Sequence, residues 1–256
     1  MTPLYWQVYK NLEREFLALS EIIHINDSQQ EVYSMKIADL LIRTVVEIES
    51  LAKELYLSNG GAIMPDVDMY FDTVCMAHLE SLWILSKKVV LVTAPTIYFE
   101  QDCNKILTPL HKASKRGTSS ADWNKAYQAV KHNRVKELHK GNLKNLLHGL
   151  AALYLLNLYY RDEHKDKVKE TDRNNVDTSF GSSLFAVKIH IPGGFKSDGV
   201  YQKNDDFDEC AYIFDYESVT FKRGIDALAA MEKYINDSTE KLLEERFENV
   251  NRKDYL

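Results

Sequence analysis

Apolar residues return at three- and four-residue steps along most of this chain, the spacing that lines one face of an α-helix. Tyr5, Val8, Leu12, Phe16 and Leu19 predict a first helix over about residues 3–23, with Pro3 in the first turn, where its missing N–H does no harm, and Asn26-Asp27 breaking it. Ser28 with Glu31 three residues on has the form of a capping box and predicts a second helix from there to Leu57, stopped by Ser58-Asn59-Gly60-Gly61. Its stripe of Ile37, Leu40, Leu41, Val45, Ile48, Leu51, Ala52, Leu55 and Tyr56 is wide enough for a central place in the core.

A third helix is predicted over about residues 68–88, and residues 89–92 and 96–99, either side of Ala94-Pro95, read as short extended segments. Lys, Ser, Gly and Thr between Pro109 and Ser120 predict an exposed loop. Ser120 or Asp122 then caps a helix through Trp123–Leu138, Gly141-Asn142 offers a kink, and residues 146–160 are so apolar that they predict a helix buried on every side. The polar stretch 161–183 predicts a mobile connection. Beyond it, residues 184–191 alternate like a strand and 210–216 like its partner, and a last helix over about 218–250 carries Phe221, Ile225, Leu228, Met231, Ile235, Leu242, Leu243 and Phe247 on one side.

The predicted fold class is therefore mainly α: one domain over residues 1–256, a helical bundle with a small β-hairpin appendage near the C-terminus, at 184–217, inserted before the last helix. Ile37, Leu41, Ile48 and Leu51 are expected to share one core with Leu146, Leu150, Leu153 and Leu156.

Composition narrows the setting. Ten glycines and five prolines in 256 residues leave room for long helices. The longest apolar run, 146–160, is interrupted by His148 and Asn157 and falls short of the roughly 20 residues needed to cross a bilayer, so no membrane role is expected. The first ten residues lack the basic start and apolar centre of a signal peptide, and Cys75, Cys103 and Cys210 are odd in number and far apart; both point to a cytoplasmic, reducing location.

Charge changes the picture more. Between Lys105 and Lys144 ten basic residues face only Asp122 and Glu137, a net +8 in a chain whose total is −6. A confined basic patch on an acidic protein can attract a polyanion that the whole-molecule charge would repel. The alternative is that these charges are spread around several helices and only solvate them.

Inside that window lies the candidate chemistry. Lys131, His132, Arg134, Lys136, His139 and Lys140 stand directly before the core helix, which would hold them rigidly. In a helix His132, Lys136 and His139 share a face, whereas Arg134 and His139 point roughly 140° apart, so that pair converges only across a kink. Histidine exchanges protons near neutral pH and arginine holds a phosphate through a forked pair of donors, chemistry suited to phosphodiester cleavage. Arg134, His132 and His139 are accordingly the candidate catalytic residues, and Lys131, Lys136 and Lys140 the candidate RNA-binding ones. The competing expectation is a structural network, in which His132 and Trp123 pack in the core and Arg134 pairs with a carboxylate. The second helix supplies possible partners in Arg43, Glu47 and Glu49; a carboxylate inside Val45-Val46-Glu47-Ile48-Glu49 requires a cation if it is buried.

Other chemistries lack support. The chain has no Gly-rich phosphate loop, no Gly-x-Ser-x-Gly elbow and no His-Glu-x-x-His helix, and His24, His78, His111, His148, His164 and His190 show no ligand spacing, so neither a cofactor nor a metal is expected.

Residues 43–54 and 123–156, above all Tyr127, Lys131-His132-Asn133-Arg134 and Asn142-Leu143-Lys144-Asn145, resemble the HEPN-like helical proteins, most of all a bacterial branch with a Trp, Tyr, Lys-His-x-Arg pattern before its core helix. The resemblance covers about a third of the chain. It implies a helical bundle that brings an arginine and a histidine together, often across a homodimer. Many members are metal-independent ribonucleases of toxin or defence systems with Arg, four to six residues, then His, a spacing that Arg134 and His139 satisfy; others are non-catalytic dimerisation or binding modules with a protein partner. In the branch most like this chain the pattern is Lys131-His132-x-Arg134.

Overall fold

In the computed structural model, which describes residues 4–63, 68–161, 177–190, 203–215, 220–223 and 232–240, helices predominate, as the pattern predicts. In chain order the first half holds α1 (Leu4–Leu19), β1 (Ile25–Asn26), α2 (Met35–Ser58), α3 (Ala77–Trp83), β2 (Val90–Val92), β3 (Ile97–Tyr98), α4 (Asp102–Lys105) and β4 (Ile106–Leu107). The second half holds α5 (Asp122–Glu137), α6 (Leu143–Tyr160), β5 (Phe185–Val187), β6 (Ile189–His190), β7 (Tyr212–Asp215), β8 (Thr220–Arg223) and α7 (232–240).

The segment with the highest density of apolar residues becomes the centre. Nearly every side chain of α6 is buried, and α2, α1 and α5 pack around it. Ile37, Leu41, Ile48, Leu51, Leu146, Leu150, Leu153 and Leu156 are all fully buried in one cluster, each contributing about 1.5–3 kcal/mol by leaving water. Asn142 starts α6 by accepting a hydrogen bond from the Asn145 N–H at 3.0 Å. No helix among the described residues is long and apolar enough to cross a membrane.

Several boundaries differ from expectation, each for a local reason. The second helix begins at Met35, because Ser34 caps it by accepting from the Ile37 N–H at 3.1 Å, while Ser28 is engaged by the Asn26 side chain in a short 3-10 turn. Residues 30–33 instead pair with the start of α6, where the Leu143 N–H reaches Val32 O, and Glu31 accepts from the Asn142 amide at 2.6 Å. The third helix is short: a π-helical turn, Phe71–Met76, leads into α3, which stops where Ile84 turns left-handed at φ 49°. The fifth helix breaks at Asn133, with φ −147° and ψ 63°, and the chain breaks again at the expected Gly141-Asn142, where Gly141 ends the 3-10 turn and extended Asn142 caps α6. Gly141 serves a close approach, since a Cβ there would lie 2.6 Å from the Ala38 Cβ and 2.9 Å from its Cα. The loop 109–120 is only partly exposed, with Leu110, Ala113 and Ser120 buried.

The β pairing also corrects the expected hairpin. Phe185–Val187 runs antiparallel to β2, and Ile189–His190 runs parallel to Tyr212–Ile213, so residues 184–191 and 210–216 are not antiparallel partners. The antiparallel partner of β7 is β8, inside the stretch predicted as the last helix, of which 232–240 are helical. These strands are packed onto the bundle rather than appended to it. Tyr212 donates to Leu158 O at 2.6 Å and Tyr159 to Ala211 O at 3.1 Å, so β7 closes over the end of α6. Most of the expected mobile connection (162–176), and the helix positions Ile225, Leu228, Met231, Leu242, Leu243 and Phe247, lie outside the described residues.

Candidate functional site

Residues 131–140 lie at the surface. The break at Asn133 ends the regular part of α5, and a 3-10 turn, Leu138–Lys140, leads round to α6. Lys131, His132, Lys136, His139 and Lys140 are all exposed, and Val135 between them is 97% exposed. The expectation that His132 packs in the core is therefore corrected, whereas Trp123 does pack there, donating its indole N–H to Pro109 O at 2.8 Å.

Arg134 takes a carboxylate of the second helix, but not the expected one. Its guanidinium lies 3.0 Å from Asp39, and Asp39 precedes Glu47 by eight residues, roughly 12 Å along the helix axis. Both members of the pair are about half exposed, which limits its contribution to about 0–1 kcal/mol. Lys140 pairs with Glu137 at 2.7 Å. His132 and His139 make no hydrogen bond or ion pair among the described residues, so within one chain neither is joined to Arg134. A general base and the group it serves must come within about 2.6–3.2 Å, directly or through a water.

The structural partners separate as well. Arg43 bonds Glu15 of α1 at 2.7 Å, with Lys36 on the same carboxylate, and together they hold the Glu15 carboxyl below its usual range. Glu47 is half-buried, and burial raises its carboxyl against the pull of Arg43. Glu49 is raised by burial too, countered by Lys131, Lys53 and the Tyr127 hydroxyl. Lys131 in turn donates to the Tyr127 hydroxyl at 3.1 Å. The contact between this helix and the basic segment thus runs through Glu49, Tyr127 and Lys131, and through Asp39 and Arg134, leaving Glu47 aside.

Glu49 also lines a cleft of about 630 Å³ between α2, the π-helical turn and the start of α5. Lys53, Asp72, Arg116, Ser120 and Asn124 line it further, with the Arg116 guanidinium stacked 3.8 Å from the Tyr70 ring centroid. Carboxylates and cations face the same space, an arrangement suited to a ligand carrying both donors and acceptors.

Two features have no motif in the sequence. Glu13, which three- and four-residue steps from Tyr9 and Phe16 place on the buried face of α1, is the most deeply buried carboxylate among the described residues at 1% exposure, and it accepts from Tyr9, Ser182 and the backbone N–H groups of Ser183 and Leu184. His190, Asp206 and Cys210 bring one metal-ligand atom each within 4.8 Å of the others, although in sequence the three have no motif spacing. No family model matches the chain, and no curated protein or solved structure matches it at a significant level.

Proposed function

We propose that this protein binds RNA, as a HEPN-like binding module, through the exposed basic surface that begins at Lys131 and ends at Lys140. The observation that carries the reading is geometric. Lys131, His132, Lys136, His139 and Lys140 reach solvent from one short segment around the break at Asn133, and the carboxylates beside it among the described residues are Glu137, Asp39 and the half-buried Glu49. Concentrated positive charge on an exposed segment attracts phosphates and releases their counterions. Binding is favoured over cleavage because neither histidine is held by a hydrogen bond or ion pair among the described residues, so neither ring is oriented by a third group as an activated base is. A nuclease centre assembled from two copies, in a homodimer, is the second reading; the Arg134–His139 spacing and the exposure of both histidines support it.

Anisotropy titrations of a labelled single-stranded RNA test both. Affinity should fall steeply with salt, with a log–log slope of about −0.7 for each phosphate contacted, and Lys136→Glu or Lys140→Glu should weaken binding and flatten that slope. Binding indifferent to salt and to these changes overturns the proposal. RNA cleavage by the purified protein, lost by about a hundredfold or more in Arg134→Ala and in either His132→Ala or His139→Ala, would replace it with the two-copy nuclease.

A further inference from the structure

We infer that His190, Asp206 and Cys210 form a three-ligand site for a divalent transition metal, with Zn²⁺ the best match. One imidazole nitrogen, one carboxylate oxygen and the thiol sulfur lie mutually within 4.8 Å. Ligands about 2.0–2.3 Å from a tetrahedral zinc stand roughly 3–4 Å apart, so small side-chain rotations close the set. The mixture of thiolate, imidazole and carboxylate selects zinc over the hard cations calcium and magnesium, which take oxygen ligands.

Local backbone structure holds the ligands ready. Asp206 and Cys210 flank a single 3-10 turn, Phe207–Glu209, closed by the Glu209 N–H to Asp206 O at 3.0 Å and the Cys210 N–H to Phe207 O at 3.2 Å. That turn is tied down by the Val89 N–H to Glu209 O and by the Ala211 N–H to Lys188 O, next to β6, which carries His190. The Phe207 ring meets the His190 ring edge-on at 4.8 Å and shields one side. His190 and Cys210 are buried and Asp206 is half-buried.

Charge separates Asp206 from its neighbours. Asp208 pairs with Lys87 at 2.6 Å and Glu209 pairs with Lys188, while Lys88 donates to Asp208 O at 2.9 Å. The acidic run 205–209 thus has lysines on Asp208 and Glu209, and Asp206 makes no ion pair among the described residues. Zn²⁺ with one thiolate, one carboxylate and one neutral imidazole sums to zero, which removes the penalty for burying the charges singly. On binding, the Cys210 thiol releases its proton to solvent and its sulfur forms the metal bond. Three protein ligands leave the fourth position for water, so the site pins β6 to the 206–210 turn and keeps one exchangeable position.

The test uses the full chain titrated with Co²⁺ near neutral pH, with Zn²⁺ as competitor. The expected result is one Co²⁺ per chain, a thiolate-to-cobalt absorption band in the near ultraviolet, and its loss on adding Zn²⁺. Cys210→Ser should abolish the band, and His190→Ala and Asp206→Asn should abolish stoichiometric binding, whereas Cys103→Ser, at the exposed thiol, should change nothing. If Cys210→Ser or His190→Ala fails to fold, Asp206→Asn decides, because that residue is half-buried and the change is nearly isosteric. A wild type with no band, or a band that disappears with Cys103→Ser and survives Cys210→Ser or Asp206→Asn, overturns the site.

Discussion

Replacing Glu13 should destabilise this protein more than any change in the basic segment. Its carboxylate is almost wholly buried, yet one oxygen accepts from the Tyr9 hydroxyl at 2.9 Å, the Ser182 hydroxyl, the Ser183 N–H at 2.9 Å and the Leu184 N–H at 3.1 Å, and the other meets Lys10. Lys10 also donates to Gly181 O at 2.9 Å, so the pair fastens residues 181–184 to α1 and delivers β5 to β2. The charge is felt by Tyr9, whose hydroxyl is held well above its usual pKa by burial and then by the carboxylate beside it. Hydrogen bonds to a charged group contribute about 1.5–3 kcal/mol each, against about 0.5–1.5 for neutral ones, and they do not add. In Glu13→Ala the Leu184 N–H keeps the Ser182 hydroxyl at 3.1 Å and Lys10 keeps Gly181 O, but the Ser183 N–H loses its acceptor and the Lys10 ammonium its counter-charge. The expected loss is about 3–5 kcal/mol, two or three charge-assisted hydrogen bonds whose contributions do not fully add, since Lys10 is partly exposed and is not left as a buried charge. At about 2–4 °C per kcal/mol for a chain of this size, Tm should fall by roughly 6–20 °C. Glu13→Gln retains one acceptor but turns an amide towards Lys10, and should lose about 1–3 kcal/mol. Urea and thermal unfolding followed by circular dichroism measure both. A loss below about 1 kcal/mol in Glu13→Ala would show that the carboxylate does not carry the joint between α1 and the 181–184 segment.

Two further outcomes follow from the same structure. Leu153→Ala, at a fully buried position of α6, should lower unfolding free energy by about 2–5 kcal/mol in urea denaturation, and an unchanged midpoint would place the residue outside the core. His148 is pushed down to about 4 from 6.5 by burial and then by Lys144, so the unfolded chain binds its proton at a higher pH than the folded one does. Stability should therefore be full above pH 6.5 and decline by up to about 3 kcal/mol as pH falls towards 4, and His148→Gln should remove that part of the profile; an unchanged slope in the variant would refute it.

The parts of the architecture legible in the sequence are those where residue type alone sets the environment. Helices α1 and α2 were marked by apolar periodicity, α5 by its cap and α6 by its continuous apolar run, and the shared core by the stripe on α2 and the apolar run of α6, because burying those faces is the dominant favourable term wherever the chain puts them. The charge contrast of the 131–140 segment was equally plain, and so was its position just before the core helix. Boundaries were less legible. Ser28 and Ser34 are both competent caps, and what separates them is the engagement of Ser28 by Asn26 and the pairing of residues 30–33 with the start of α6.

What only the tertiary structure decided is which polar groups meet. The sequence marks Glu47 as a carboxylate among apolar residues, but helix phase leaves it half-buried, and Asp39 receives Arg134 because α5 crosses α2 there. Helix phase puts Glu13 on the face of Tyr9 and Phe16, but its donors Ser182, Ser183 and Leu184 lie about 170 residues further along and give no local signal. Residues 184–191 read as a strand in the sequence, yet that reading carries no partner, and the hydroxyls of Tyr159 and Tyr212 help to settle it by tying β7 to α6. His190, Asp206 and Cys210 converge for the same reason. Apolar burial is non-directional and can be read from one residue at a time, whereas a hydrogen bond, an ion pair or a ligand set needs two or more groups in one place, and that place exists only once the chain has folded.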